Sequence, residues 1–217
     1  MKKLYLFGSF LIISIVISAQ QQRLDSIKAN YLNLYVDVEI ANLFDKHITP
    51  RHNYYQFIPL DNSAFTIIWG NDSIKNESKN EYAALLGVRQ SLEVENDKFI
   101  FIHSWSGSGV WQNIVLPLKQ GYGDFMIQNP IAYDLKNNRV ATELCCMGDT
   151  LLEVLDFNGQ GSTYIIDSLI KCSSVQIDFC IDSIFLSDTV LKVNWIVPNK
   201  IDQPNSIIKK SYKIYAR

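Results

Sequence analysis

The sequence predicts an all-β protein made of repeated antiparallel β units in a propeller-like arrangement. Its 217 residues include 11 Tyr, 11 Phe and 4 Trp, and aromatic side chains suit pleated, half-buried surfaces. From residue 54 onward, short apolar runs alternate with polar turns, which is the pattern of strands and hairpins. These turns recur at roughly forty-residue intervals, a period typical of propeller blades.

Three similar units carry the repeat, and each begins with an apolar run followed by a polar turn. The first turns of the units are Asn96-Asp97, Asn137-Asn138 and Ile181-Asp182. Stacking small twisted sheets side by side buries faces that one sheet alone leaves exposed. Closed propellers typically have four to eight blades, and three units are fewer. An antiparallel β-barrel or a sandwich is therefore the alternative architecture.

An earlier hairpin precedes the repeats. The apolar runs Tyr55–Leu60 and Ala64–Trp69 are separated by Asp61-Asn62-Ser63, which has the composition of a turn. The next segment, Gly70–Glu81, is polar and carries charges of both signs. We expect this segment to be a long exposed loop.

The first nineteen residues, 1–19, predict a secretory signal peptide. Lys2 and Lys3 precede the apolar run Leu4–Ile17, and Ser18-Ala19 offers a small-residue cleavage site. The apolar run is shorter than the roughly 20 residues that a transmembrane helix needs. We therefore expect a secreted or periplasmic protein with no transmembrane segment after signal removal.

The segment 20–50 fits two patterns. Apolar residues spaced by three and four, from Leu24 to Ala41, predict an amphipathic helix. Alternation from Leu32 to Ile40 predicts a strand instead. The helical pattern is longer and stops before Thr49-Pro50, which favours a helix. The remaining residues, 51–217, are predicted to form a single β domain with repeats near 91–130, 131–170 and 171–217.

The four cysteines leave their pairing open. They are Cys145, Cys146, Cys172 and Cys180. In an oxidising compartment four cysteines allow three full pairings, and Cys172–Cys180 would close a short loop. Buried thiols without a disulfide are the alternative. No metal site or cofactor is predicted, because paired CxxC spacing is absent and the three histidines lie far from the cysteines in sequence.

One stretch resembles a known family. Ile131-Ala132-Tyr133-Asp134-Leu135-Lys136-Asn137-Asn138-Arg139-Val140 is followed by Gly148-Asp149-Thr150-Leu151-Leu152-Glu153-Val154-Leu155-Asp156-Phe157-Asn158-Gly159. Together these segments resemble one blade of secreted TolB-like β-propeller proteins of Gram-negative bacteria. The resemblance implies blade-like local structure and no catalytic residues. That family has six blades, more than this chain can supply.

The sequence contains no motif for nucleophilic or metal catalysis, so no catalytic residue is predicted. It lacks a Gly-x-Ser-x-Gly elbow and an HExxH motif. The formal net charge is −2 and basic residues hardly cluster, which argues against a nucleic-acid partner.

Aromatic residues beside a loop are the candidate binding residues. Trp105 and Trp111 flank a Gly/Ser run, and His103 precedes it. Tryptophan offers a broad apolar face with one donor, and loops on a rigid scaffold often carry binding. The alternative is that Trp111 packs in the core and only Trp105 is exposed.

These observations predict a secreted, non-catalytic binding or scaffold protein whose partner is a protein, a peptide or a glycan. Two alternatives belong to other classes. One is a secreted hydrolase whose carboxylate site a sequence does not reveal, since such sites depend on spacing in three dimensions. The other is a structural component of the cell envelope.

Overall fold

Antiparallel strands in four sheets make up the described part of the chain. The computed structural model describes residues 44–61, 64–83, 90–105, 111–144, 150–158, 161–170, 177–197 and 205–214. No α-helix occurs in these ranges, and the predicted class, all-β with repeated antiparallel units, is confirmed. The signal peptide (1–19) and most of the segment 20–50, where a helix was predicted, lie outside the described residues.

The chain divides into two compact units. The first unit comprises Met1–Gln90 and Pro117–Asp124, and the second comprises Ser91–Leu116 and Phe125–Arg217. Sheet I belongs to the first unit and consists of β1 (His47–Ile48), β2 (Tyr54–Pro59), β3 (Ala64–Gly70), β4 (Lys75–Glu77) and β5 (Tyr82–Ala83). The β2–β3 hairpin confirms the predicted pair of strands. Alternate aromatic and aliphatic residues of these strands are buried, as period-2 geometry requires.

The prediction that Gly70–Glu81, the segment after β3, forms a long exposed loop is wrong. It contains β4, and Asn76 within that strand is buried. The Asn76 amide Nδ2 donates to the carbonyl oxygens of Pro117 and Lys119, each at 3.1 Å, and Oδ1 accepts from the Gly121 N–H at 3.0 Å. A polar side chain is stable in the interior when its hydrogen bonds are made.

The second unit contains three further sheets, each a meander in which neighbouring strands follow one another in sequence. Sheet II consists of β6 (Ser91–Glu95), β7 (Phe99–Trp105), β8 (Trp111–Pro117) and β9 (Phe125–Gln128). Sheet III consists of β10 (Pro130–Asp134), β11 (Arg139–Glu143), β12 (Thr150–Asp156) and β13 (Gly161–Ile166). Sheet IV consists of β14 (Ile181–Leu186), β15 (Val190–Val197) and β16 (Ser206–Lys213). The described strands form separate open sheets, so the closed-barrel alternative is wrong.

Sheet III is buried on both faces. Val140 packs with Phe101 and Val115 of sheet II, whereas the next residue, Ala141, packs with sheet IV residues that include Trp195. Consecutive strand residues point to opposite faces, so one strand supplies both cores. This packing explains why all five residues of β11 are buried.

The predicted first turn of the third repeat is wrong. Ile181-Asp182 was assigned to a turn, but both residues belong to β14, and Ile177–Cys180 before them form a 3-10 helix. The hairpin turn of sheet IV lies at residues 187–189, where the Ser187 N–H donates to the Val190 carbonyl at 3.0 Å. Asp182 resembles a turn residue because it interrupts an apolar run. In the structure it is the extra residue of a β-bulge.

Candidate functional site

A cavity of about 400 Å³ lies among the three sheets of the second unit. The lining residues are Glu93, His103, Trp111 and Asn113 of sheet II, Pro130, Ile131 and Tyr133 of sheet III, and Ile181, Asp182, Ser183 and Ile184 of sheet IV. Residues from the first strand of each sheet therefore contribute to the cavity wall.

Each of these first strands carries a β-bulge at the cavity. In sheet II, Leu92 pairs with Ile102 and Val94 pairs with Phe101, so Glu93 is the extra residue. The corresponding extra residues are Ile131 in β10 and Asp182 in β14. A bulge changes the direction of a side chain that regular pairing would place elsewhere. All three extra residues line the cavity, and two of them are carboxylates.

His103 lies between Glu93 and Trp111. Its Nδ1 atom is 3.6 Å from Oε2 of Glu93, and its ring meets the Trp111 ring edge to face with centroids 5.7 Å apart. The three side chains are partly exposed, so solvent reaches them. The structure thus brings together two of the three predicted binding residues, His103 and Trp111.

Trp111 is 41% exposed, so the alternative in which it packs in the core is wrong. It is the first residue of β8, and burial begins two residues later at Asn113. The strand therefore enters the core only after Trp111. The side chain of Trp105 lies outside the described part of the structure, and its role in binding stays a prediction.

Asn113 and Tyr133 form a polar contact in the wall of the cavity. Asn113 is 1% exposed, and its amide Nδ2 donates to the Tyr133 hydroxyl oxygen. Its Oδ1 atom is buried, and no group among the described residues donates a hydrogen bond to it. Burial raises the pKa of Tyr133 above its ordinary value, and the negative charge of Glu93 raises it further. The phenol is therefore neutral at physiological pH and retains a proton that it can donate.

The cavity offers more hydrogen-bond acceptors than donors. The two carboxylates offer four acceptor oxygens, while the Tyr133 and Ser183 hydroxyls and the His103 ring supply the donors. Trp111 adds an exposed aromatic surface. An arrangement of this kind suits a ligand that donates hydrogen bonds and also presents some apolar surface.

Reasoning from sequence alone missed Glu93, Asn113, Tyr133 and Asp182. Glu93 sits in ordinary alternation with apolar neighbours, so it reads as a solvent-facing strand residue. Asn113 did carry a signal, because it adjoins the apolar run Ile114–Leu116, whose residues are buried on both faces of the strand. A polar residue at a buried strand position indicates either a hydrogen-bonded core group or a ligand contact.

The chain matches no family model, no curated protein and no solved structure with which it was compared. In the described ranges, no group of three or more His, Cys, Asp and Glu side chains is arranged to hold a metal ion. The same residues include no helix long and apolar enough to cross a bilayer.

Proposed function

We propose that this protein is a non-catalytic binding protein whose ligand occupies the cavity of the second unit. The observation that carries the proposal is a cavity whose wall takes polar side chains from three separate sheets, among them Glu93, Tyr133 and Asp182. A few polar groups that converge on a partly apolar wall are what fix the orientation of a small ligand.

The dimensions and lining of the cavity support the same proposal. Small-molecule sites commonly measure about 300–1,000 Å³ and combine apolar walls with a few polar groups. The observed volume of about 400 Å³ falls in this range. Ile131 and Ile184 supply apolar wall, and Trp111 is accessible from solvent. A small molecule, or one side chain of a peptide, protein or glycan partner, has room to enter.

The proposal includes export from the cytoplasm to a secreted or periplasmic location. The predicted signal peptide at 1–19 supports it. Cys180 is disulfide-bonded, and disulfides persist mainly in oxidising compartments. Cys145, Cys146 and Cys172 lie outside the described residues, so the pairing stays open.

The proposal also treats sheets II to IV as successive blades of an open, propeller-like stack. Their meander order and the packing of sheet III against both neighbours support this interpretation. The segments that resemble a TolB-like blade include strands of sheet III, and this resemblance also supports a blade-like sheet.

A hydrolase is the second candidate function. Glu93, Asp182 and His103 line one cavity, and carboxylates with a histidine are the groups that general acid–base catalysis uses. A screen of glycoside and ester substrates with purified protein separates the two candidates. Turnover that disappears in Glu93→Gln or Asp182→Asn would replace the binding proposal with the hydrolase.

The binding proposal is tested by Asn113→Leu, with Asn205→Leu as the control at an exposed position of the second unit. A fragment library is screened by NMR against the wild type, and the hits are titrated into both variants. We expect Asn113→Leu to lose up to about 1 kcal/mol of stability, because it removes the hydrogen bond from Nδ2 to the Tyr133 hydroxyl together with an unpaired buried acceptor. It should lose the hits, whereas Asn205→Leu should keep them. Unchanged affinities in Asn113→Leu, or a loss of more than about 2 kcal/mol of stability, would show that Asn113 has a structural role only.

A further inference from the structure

We infer that the ligand group recognised by this cavity is an alkylammonium ion, carried either by a free amine or by a lysine side chain. The inference rests on the proposed function and adds the chemical class of the ligand. Three separate observations carry it: the sign of the charge in the cavity, the backbone irregularities that place this charge, and the excess of acceptors beside an exposed aromatic ring.

The charge of the cavity wall is negative. Glu93 and Asp182 line it, the described lining residues include no lysine or arginine, and the basic side chain among them is His103, 3.6 Å from Glu93. Asp182 accepts a hydrogen bond from the Ser183 hydroxyl at 3.4 Å. Because this hydroxyl is neutral, it does not compensate the negative charge of Asp182. Two carboxylates on the wall of one cavity attract a cation and repel an anion.

The backbone places this charge through two bulges. Glu93 and Asp182 are the extra residues in β6 and β14, and both line the cavity. Without its bulge, each strand would pair regularly with its neighbour, and the carboxylate would point in a different direction from the one observed. Bulges beside binding sites commonly serve to aim a side chain. Two sheets use the same backbone feature to present the same functional group to one cavity.

The acceptors and the aromatic ring match the chemistry of an ammonium group. An alkylammonium ion has three N–H donors and accepts no hydrogen bond. The Tyr133 hydroxyl oxygen, from a third sheet, is a further acceptor on the wall of the same cavity. Trp111, at 41% exposed, offers the ring face that attracts cations and also packs against alkyl carbons. A neutral sugar would use the ring and the acceptors but would gain little from two negative charges.

The test compares probes that differ in charge and share an alkyl chain. Butylammonium, 1-butanol and butyrate are titrated into the full chain, together with Nα-acetyl-lysine methylamide, and binding is followed by NMR chemical shifts. We expect both ammonium probes to bind at least tenfold more tightly than 1-butanol, and butyrate to bind more weakly still. Whichever ammonium probe binds more tightly identifies the source of the group, and either order supports the inference.

Charge-removing variants complete the test. Glu93→Gln and Asp182→Asn should each weaken butylammonium binding at least fivefold. Glu77→Gln removes the same charge from an exposed position in the first unit and should have no effect. Thermal unfolding of the variants shows that each one is folded.

Several results would overturn the inference. These are 1-butanol binding as tightly as butylammonium, a preference for butyrate, unchanged binding in both carboxylate variants, or no ammonium binding to the wild type. The proposed function is judged separately, since fragment hits that Asn113→Leu abolishes would support a binding cavity of a different ligand class.

Discussion

The side-chain amide of Asn96 donates to Oδ1 of Asn138 across 2.8 Å and so joins the first hairpin turn of sheet II to that of sheet III. The same amide donates to the Leu135 carbonyl at 2.7 Å. Oδ1 of Asn96 accepts from the backbone N–H groups of Lys98 and Phe99, each at 2.8 Å. One buried asparagine therefore shapes its own turn and also holds two sheets together.

Replacing Asn96 with alanine should lower the free energy of unfolding by about 2–3 kcal/mol. It removes four hydrogen bonds from a residue that is 8% exposed, and each contributes roughly 0.5–1.5 kcal/mol net. Urea denaturation measures the change. Asn96→Asp keeps the side-chain acceptor that shapes the turn but loses the two hydrogen bonds donated to sheet III. Its loss of stability therefore measures the contribution of those two bonds. If Asn96→Asp matched the wild type in stability, the contact between the turns would contribute nothing.

Replacing Arg139 should lower the stability of the protein far more than replacing Asp188, one of its two acidic partners. Its side chain is 4% exposed, and both Nε and Nη2 donate to Oδ2 of Asp156 at 2.8 Å. Nη1 also reaches Oδ1 of Asp188 at 3.3 Å, but that carboxylate is 68% exposed. Arg139→Met should cost about 3 kcal/mol, because it leaves Asp156 without its main cation.

Asp188→Asn serves as the comparison for Arg139. It should change the free energy of unfolding by less than about 0.5 kcal/mol, since water screens an exposed ion pair. Chemical denaturation of both variants at one ionic strength gives the two values. Equal costs for Arg139→Met and Asp188→Asn would contradict the view that the Asp156 pair dominates.

Two glycines of the first unit should respond differently to alanine. A Cβ at Gly70 would lie 1.8 Å from the backbone oxygen of Ile74, whereas nothing lies within 4 Å of a Cβ at Gly121. Gly70→Ala should therefore cost at least about 2 kcal/mol, because the backbone of β3 or its turn must move. Gly121→Ala meets only the strain of its φ of +77°, about 1 kcal/mol. Thermal unfolding compares the two variants. A larger loss of stability in Gly121→Ala than in Gly70→Ala would show that the turn after β3 shifts at little cost.

The stability of sheet IV should depend on acid pH through Asp167. Oδ2 of this carboxylate accepts from the Tyr212 hydroxyl at 3.0 Å and pairs with Lys210 Nζ at 3.2 Å. Burial alone would raise the pKa of Asp167, but these contacts and the Leu169 N–H outweigh it and hold the pKa below its ordinary value. A depressed pKa stabilises the fold above the unfolded-state value of about 4, and that contribution disappears as pH falls through the folded-state pKa.

Tyr212→Phe tests this dependence. It should be less stable than the wild type at pH 7, and the difference should shrink as the pH falls through the folded-state pKa of Asp167, because the carboxylate then becomes protonated in both proteins. Tyr164→Phe, at an exposed position in β13, should have the same stability as the wild type at every pH. A stability gap between Tyr212→Phe and the wild type that is constant with pH would mean that the hydrogen bond to Asp167 contributes no pH dependence.

Turns and strands followed from local chemistry. Asn96 and Asn138 were placed in turns because asparagine supports them, and both lie in hairpin turns. The strand β16 was not predicted. β16 carries Lys209, Lys210 and Lys213 on an outer strand of sheet IV, where an apolar pattern is not required.

The candidate site was predicted only in part. His103 and Trp111 were selected by residue type and position beside a loop, and both line the cavity. Glu93 and Asp182 could not be selected, because a β-bulge depends on how a strand pairs with its neighbour and leaves little trace in a single segment. The same reason explains why Asp182 was mistaken for a turn residue.

Local pattern was therefore enough to establish short antiparallel strands, tight asparagine turns and a repeated plan, since each depends on residues a few positions apart. The faces that are buried and the carboxylates that share a cavity emerged only when sheets II, III and IV packed together. Those properties arise from contacts between different sheets, such as that of Val140 with Phe101, and a bulge of a single residue changes which side chain takes part.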